Sequence, residues 1–204
     1  MVREQILGRG LRSRRVLGAF LRVDRRAFVP AAHAREAFGD HPVLMDCGQT
    51  VSQPYMIALM LDALRIGRGM KVLEVGAGSG YVLALLHVMG TRPFGVEWHG
   101  DLARGIAARL RAAGLPELPV RCGDGGLGWP EEAPFDRILI SAACPRIPEP
   151  LLVQLAPGGI LAAPVDNPLT GGQVLETITR TEDGLRTDRR GGCVFVPLVG
   201  RYGR

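Results

Sequence analysis

The chain has no two cysteines placed to act together. Cys47, Cys122, Cys144 and Cys193 are its only four in 204 residues, and none forms a C-x-x-C pair. Neither a zinc site nor a redox dithiol is suggested, and reduced thiols are expected. His33, His41, His87 and His99 are equally scattered, with no i, i+4 pair, so no metal site is inferred. No uncharged apolar run approaches the ~20 residues that span a bilayer, and no apolar stretch comes after the first N-terminal charges as in a signal peptide. The expectation is a soluble, cytoplasmic protein with no membrane partner. Ser-His-Asp and Cys-His patterns, internal repeats and low-complexity tracts are also missing.

Acidic charge is in the minority: 25 Lys and Arg face 20 Asp and Glu, a net charge of +5. The excess gathers early, in Arg3, Arg9, Arg12, Arg14, Arg15, Arg22, Arg25 and Arg26. Such a cluster could attract nucleic acid. Leu7, Leu11, Val16, Leu17, Phe20 and Leu21 recur among those arginines at helical intervals. An amphipathic helix with a solvated charged face therefore reads better, and no nucleic-acid partner is expected. The length suits one domain, residues 1–204, with a helical cap and substrate loop over 1–54 and an α/β core over 55–204.

Present and most informative is Val72-Leu73-Glu74-Val75-Gly76-Ala77-Gly78-Ser79-Gly80-Tyr81. Apolar residues here suit a central parallel strand, and alternate glycines let the backbone turn sharply against a ligand, with helix amides expected to face it. A dinucleotide fingerprint is G-x-G-x-x-G; here Tyr81 stands at its third glycine, which weakens a nicotinamide reading. Glu74 would sit near the cationic end of a zwitterionic ligand such as S-adenosylmethionine. Glu97, about twenty residues past the turn, ends Pro93-Phe94-Gly95-Val96 and suits ribose hydroxyls. A plain strand-to-helix connection is the alternative.

Beyond the turn, strand and helix alternate: helix 79–89, strand 93–97, helix 100–113, strands 118–122 and 136–142, helix 148–156, strand 160–165. This predicts a mostly parallel sheet covered by helices. Gly123-Asp124-Gly125-Gly126 comes after a strand's carboxyl end, where Asp124 could accept from an adenine amino group or simply make an Asp-Gly turn. Segments 173–179 and Cys193–Leu198, with a turn at Asp183-Gly184, predict two late antiparallel strands. The long stretch 31–54 precedes a helix over 55–65 and is expected to be functional.

Several of these segments resemble one family. Ala27-Phe28-Val29-Pro30, Gly48-Gln49-Thr50-Val51-Ser52-Gln53-Pro54-Tyr55-Met56, the glycine turn, Gly123-Asp124-Gly125 with Gly128-Trp129-Pro130, Ala133-Pro134-Phe135-Asp136, Pro157-Gly158-Gly159 and Phe195-Val196-Pro197-Leu198 are similar to the motifs of the protein-L-isoaspartate O-methyltransferases. The glycine turn is shared with many methyltransferases, whereas the T-[IV]-S-x-P segment is specific.

The resemblance implies a doubly wound, S-adenosylmethionine-binding α/β sheet with extra N-terminal helices and a modified C-terminal edge. It implies methyl transfer to the free α-carboxylate of L-isoaspartyl residues in damaged peptides and proteins. By motif position, Glu74, Gly76, Gly78, Ser79 and Gly80 are assigned to the cofactor's methionine end, Glu97 to its ribose, and Asp124 with Gly125 to its adenine. Ser52 is assigned to the reacting carboxylate, and Val51, Gln53 and Pro54 to the peptide. Without the resemblance, Ser52 could equally cap the helix that begins at Pro54. Two other readings stand beside this one: a carboxyl methyltransferase for a dedicated biosynthetic peptide, and a nicotinamide oxidoreductase.

Overall fold

The computed structural model describes all 204 residues. The chain opens with a π-helical turn, Val2–Ile6, and a 3-10 turn, Leu7–Arg9, before helix α1, Arg14–Arg22. Ser13 starts α1, its hydroxyl accepting from the Val16 amide at 3.4 Å, which satisfies one orphan donor of the first turn. Two short strands, β1 (Val43–Leu44) and β2 (Thr50–Val51), pair antiparallel within the long stretch 31–54. Helix α2, Pro54–Ala63, begins with Pro54 in its first turn, where the missing N–H costs nothing.

The core alternates as expected: β3 Lys71–Val75, α3 Tyr81–Val88, β4 Arg92–Glu97, α4 Gly100–Ala112, β5 Val120–Cys122, β6 Phe135–Ile140, α5 Glu149–Val153 and β7 Leu155–Asn167. Strands β8 (Gly172–Thr181) and β9 (Gly184–Cys193) complete a seven-stranded sheet of order β5-β4-β3-β6-β7-β8-β9. The strands from β5 to β7 are parallel, and β8 and β9 are antiparallel. Val72, Leu73 and Val75 are fully buried in the middle strand, because helices cover both faces of a parallel sheet. Strand order reverses between β3 and β6, so their carboxyl ends frame the crevice where such sheets bind ligands.

Three expectations need correction. Segment Cys193–Leu198 is not a strand: after β9 it leaves the sheet edge and crosses to the end of β6. Gln173 replaces a strand partner there, its side-chain amide accepting from Phe195 N at 2.7 Å and donating to Phe195 O at 3.2 Å. Val196 O and Leu198 N then bond Ala143, while Pro197 has no N–H to continue a ladder. The second late strand is instead Gly184–Cys193, a polar segment exposed along almost its whole length.

The amphipathic reading of the N-terminus also fails in part. Val16, Ala19 and Phe20 are buried, but Leu21 is 73% exposed and Leu7 37%. The arginines are not simply solvated either. Arg15 and Arg22 donate to Met89 O and Val88 O at 3.0 and 2.6 Å, capping the electronegative end of α3. Arg25 is fully buried.

Candidate active site

The β3–α3 turn is left-handed at Gly76, Gly78 and Gly80, with φ of 81°, 53° and 84°, a conformation that side chains oppose. Its amides are largely spoken for. Gly76 N and Ala77 N donate to Val96 O, Gly80 N to Ala77 O and Gly78 N to Glu97 Oε2. Only Ser79 N–H makes no intramolecular bond in the turn 76–80. The helix amides expected to face a ligand begin only at Tyr81, whose N–H donates to Ser79 Oγ at 3.2 Å; the turn before them is largely self-satisfied and offers few donors to a phosphate. That disfavours a dinucleotide, whose pyrophosphate needs such donors.

The two predicted carboxylates are held differently. Glu97 accepts from Gly78 N at 2.8 Å and from His99 N at 2.9 Å, which fixes its plane at the end of β4 and leaves lone pairs for hydroxyls. Glu74 is 1% exposed; Ser141 Oγ donates to its Oε1 at 2.9 Å and its Oε2 has no partner. Burial pushes the Glu74 carboxyl well above its usual range, and the Ser141 hydrogen bond opposes that shift. An orphaned buried carboxylate oxygen is costly, and a ligand's ammonium group would satisfy it.

Three pockets that share lining residues surround these residues. A narrow pocket is lined by Gly76, Gly78, Glu97, Trp98, His99 and Gly125, among others. A second narrow space holds Glu74, Gly76, Gly78, Ser79, Val51 and Ser52. An open cleft of about 810 Å³ lies between Ser52, Gln53 and Met56 on one side and Thr170, Gln173 and Val194 on the other. Ser52 borders both the second space and the cleft, and its hydroxyl makes no hydrogen bond within the protein. Thr50 borders all three.

Three predicted residues stand back from these walls. Gly80 is buried at the start of α3, where a Cβ would meet Ile106 at 2.8 Å. Pro54 is the buried first residue of α2. Asp124 accepts from Gly126 N at 2.9 Å and from Arg201 N at 2.8 Å, so its carboxylate ties the C-terminal segment to the β5 loop. Val51 meets the second space but is buried, and its carbonyl accepts from Arg25 Nη2 at 3.2 Å. Gly125 does line the first pocket, and a Cβ there would lie 2.5 Å from Val75 Cγ1.

Several wall residues carried no sequence signal. Ser141, one residue past β6, could have been found by inspecting the residue just beyond each strand at the switch point. Thr50 and the Val196–Val199 segment depend on distant parts of the chain meeting. Arg25 lies beneath β2, its guanidinium 5.1 Å from the Tyr81 ring centroid. Its Nε and Nη1 and the Tyr81 hydroxyl have no partners, and burial lowers the Arg25 pKa to about 10.

A doubly wound sheet with a glycine turn and a buried carboxylate meeting at its switch point defines the class of S-adenosylmethionine-dependent methyltransferases. A family model described as protein-L-isoaspartate(D-aspartate) O-methyltransferase matches residues 1–203, and the chain belongs to that family. Among its relatives is a protein-L-isoaspartate O-methyltransferase of Methylorubrum populi, 50% identical over 200 residues, covering 98% of this chain and 93% of the relative. One from Geobacter metallireducens is 45% identical over 204 residues, covering 100% and 94%. A solved structure from Plasmodium falciparum, titled a putative protein-L-isoaspartate O-methyltransferase in complex with S-adenosyl-L-homocysteine, superposes with a TM-score of 0.82. It is 26% identical, covering 97% of this chain and 96% of that one.

Proposed function

We infer that this protein methylates the free α-carboxylate of L-isoaspartyl residues in damaged peptides and proteins, using S-adenosylmethionine. The ester then closes to a succinimide whose hydrolysis returns part of the material to aspartate. The observation that carries this reading is Ser52, a hydroxyl free of intramolecular hydrogen bonds that borders both the narrow space beside Glu74 and the open cleft.

S-adenosylmethionine, when bound, supplies a methyl group on a cationic sulfur. In this proposal Glu74, Gly76, Gly78 and Ser79 hold its methionine end, Glu97 its ribose and Gly125 its adenine side, with Asp124 fixing the loop that carries Gly125. Gly80 shapes the turn. The acceptor needs no general base: a carboxylate with a pKa near ~4 is already ionised at neutral pH, consistent with the lack of any nucleophile-base pair. The chain's task is positioning and removal of water, and good orientation alone contributes roughly 7–11 kcal/mol in favourable cases. Ser52 donates to the reacting carboxylate, Val51 and Gln53 hold the peptide beside it, and Pro54 sets the direction in which α2 departs. We read residues 1–204 as one domain, with 1–54 as cap and substrate loop and 55–204 as cofactor-binding core.

The test pairs two synthetic peptides that differ only in an isoaspartyl or aspartyl linkage, incubated with labelled S-adenosylmethionine. Base-labile methyl ester should form on the isoaspartyl peptide alone. Equal labelling of both, or of neither, would overturn the reading.

A further inference from the structure

Isoaspartyl linkages arise when the backbone nitrogen of the next residue attacks an Asp or Asn side-chain carbonyl. The new C–N bond forms as the nitrogen loses its proton, and water or ammonia leaves. Water then opens the resulting succinimide at the α-carbonyl, so the chain continues through the β-carbonyl and the α-carboxylate is set free. A glycine in the next position obstructs the attack least, because it has no Cβ.

The chain is nearly closed to this damage. It holds one asparagine, Asn167, and the next residue is Pro168, whose ring nitrogen has no proton to lose. Two Asp-Gly steps remain, Asp124-Gly125 and Asp183-Gly184. The first is locked: Gly125 is buried against Val75, and both Asp124 oxygens accept backbone N–H groups. The second is open. Asp183 lies in the turn joining β8 and β9, exposed together with Glu182 and Gly184. Its carboxylate makes neither hydrogen bond nor ion pair, and nothing lies within 4 Å of where a Gly184 Cβ would be.

We propose that Asp183-Gly184 is the site at which this protein itself becomes isoaspartyl, making an aged copy a substrate for an intact one. The proposal rests on the function inferred above. The fold makes the reaction intermolecular. Strand β8 starts at Gly172, on the wall of the Ser52 cleft, and ends at Thr181 beside the turn. At about 3.3 Å per residue its ten residues place Asp183 roughly 30 Å from the cleft of its own chain. A second molecule can reach it, because β9 is the sheet edge and pairs with β8 alone. Only the end of one hairpin must open, the kind of local excursion that costs far less than unfolding.

The protein is aged for weeks at neutral pH and physiological temperature, then incubated with fresh enzyme and labelled S-adenosylmethionine. Trypsin after Arg180 and Arg186 releases Thr181–Arg186 as one peptide. Ageing should convert a growing fraction of that peptide to the isoaspartyl form, seen by electron-transfer fragmentation, and base-labile methyl should map to it when the tryptic peptides of aged protein are methylated after digestion and separated in acid. Initial methylation should scale with the product of fresh and aged concentrations. In Asp183→Glu, which would need a six-membered imide, label should fall to the level of unaged protein. Methyl mapping to another peptide, an unchanged signal in Asp183→Glu, or no isoaspartyl form of Thr181–Arg186 would each overturn the proposal. A synthetic isoaspartyl peptide assayed alongside separates these failures from loss of the activity itself.

Discussion

The parallel half of the sheet and the β8–β9 hairpin are built from the same backbone ladder but for opposite reasons. In β3 and β6 the side chains choose the structure: Val72, Leu73, Ile138 and Ile140 are fully buried, and burying one such side chain contributes about 1.5–3 kcal/mol. In β9 the side chains choose almost nothing. Leu185, Arg186, Asp188, Arg189 and Arg190 are exposed, and the strand exists because β8 offers it an edge and Asp183-Gly184 turns the chain back. The narrow pockets at the glycine turn belong to the first region, while the end of the second opposite its turn contributes Gly172, Gln173, Gly192 and Cys193 to the cleft.

The sharpest test of that contrast removes Phe135, fully buried against Phe94 at a centroid distance of 5.9 Å. Phe135→Ala should lower the unfolding free energy by about 3–5 kcal/mol, read from denaturant midpoints. Ser52→Ala should leave stability and S-adenosylhomocysteine affinity unchanged by calorimetry but reduce kcat/KM for an isoaspartyl peptide about 10²-fold, roughly 2.7 kcal/mol in the barrier. Unchanged turnover would remove the role given to that hydroxyl.

A smaller effect is expected from Gly125→Ala. The new Cβ would sit 2.5 Å from Val75 Cγ1, and a β-branched side chain in a strand yields little. Overpacking of this kind costs roughly 1–3 kcal/mol, and the cofactor product should bind more weakly.

Glu74 gives a pH signature. Its folded carboxyl keeps a proton above the usual carboxylate range, so in that window the folded chain binds more protons than the unfolded one. Stability of the ligand-free protein should therefore fall as pH rises from the usual carboxylate range through the raised value. Glu74→Gln should flatten that slope in a series of urea titrations; an identical slope would show that another group sets it. Least of all should happen at Leu185, 52% exposed on β9. Leu185→Ser should stay within about 0.5 kcal/mol of the parent, and a larger loss would mean that the hairpin contributes more to the fold than its exposure implies.

Much of the fold was legible because its signals are local. The apolar run ending at Val75, the glycine turn and the alternation through β7 each concern neighbours in the chain, and the segments came out within a few residues of the expected bounds for most elements. The misses share one cause. Strand β9 has no apolar periodicity because neither of its faces is buried. Segment Cys193–Leu198 has the composition of a strand, yet Gln173 and Ala143 draw it away from the edge. Arg25 sits among surface arginines in the sequence, and only the fold buries it against the Tyr81 ring. At the site, Glu97 and Ser52 were marked by spacing and motif, whereas Ser141 and Thr50 acquire meaning only beside Glu74 and the cleft.

By itself the chain of residues determined where it turns and which strands are interior, because φ preference and apolar content are properties of short stretches. Tertiary structure alone decided which polar groups are left without partners. Glu74 Oε2, the Ser52 hydroxyl and the Asp183 carboxylate are free for three different reasons: one enclosed, one at a junction of spaces, one at a distant tip. A hydrogen bond requires a second group to arrive, and which group arrives is settled by the fold.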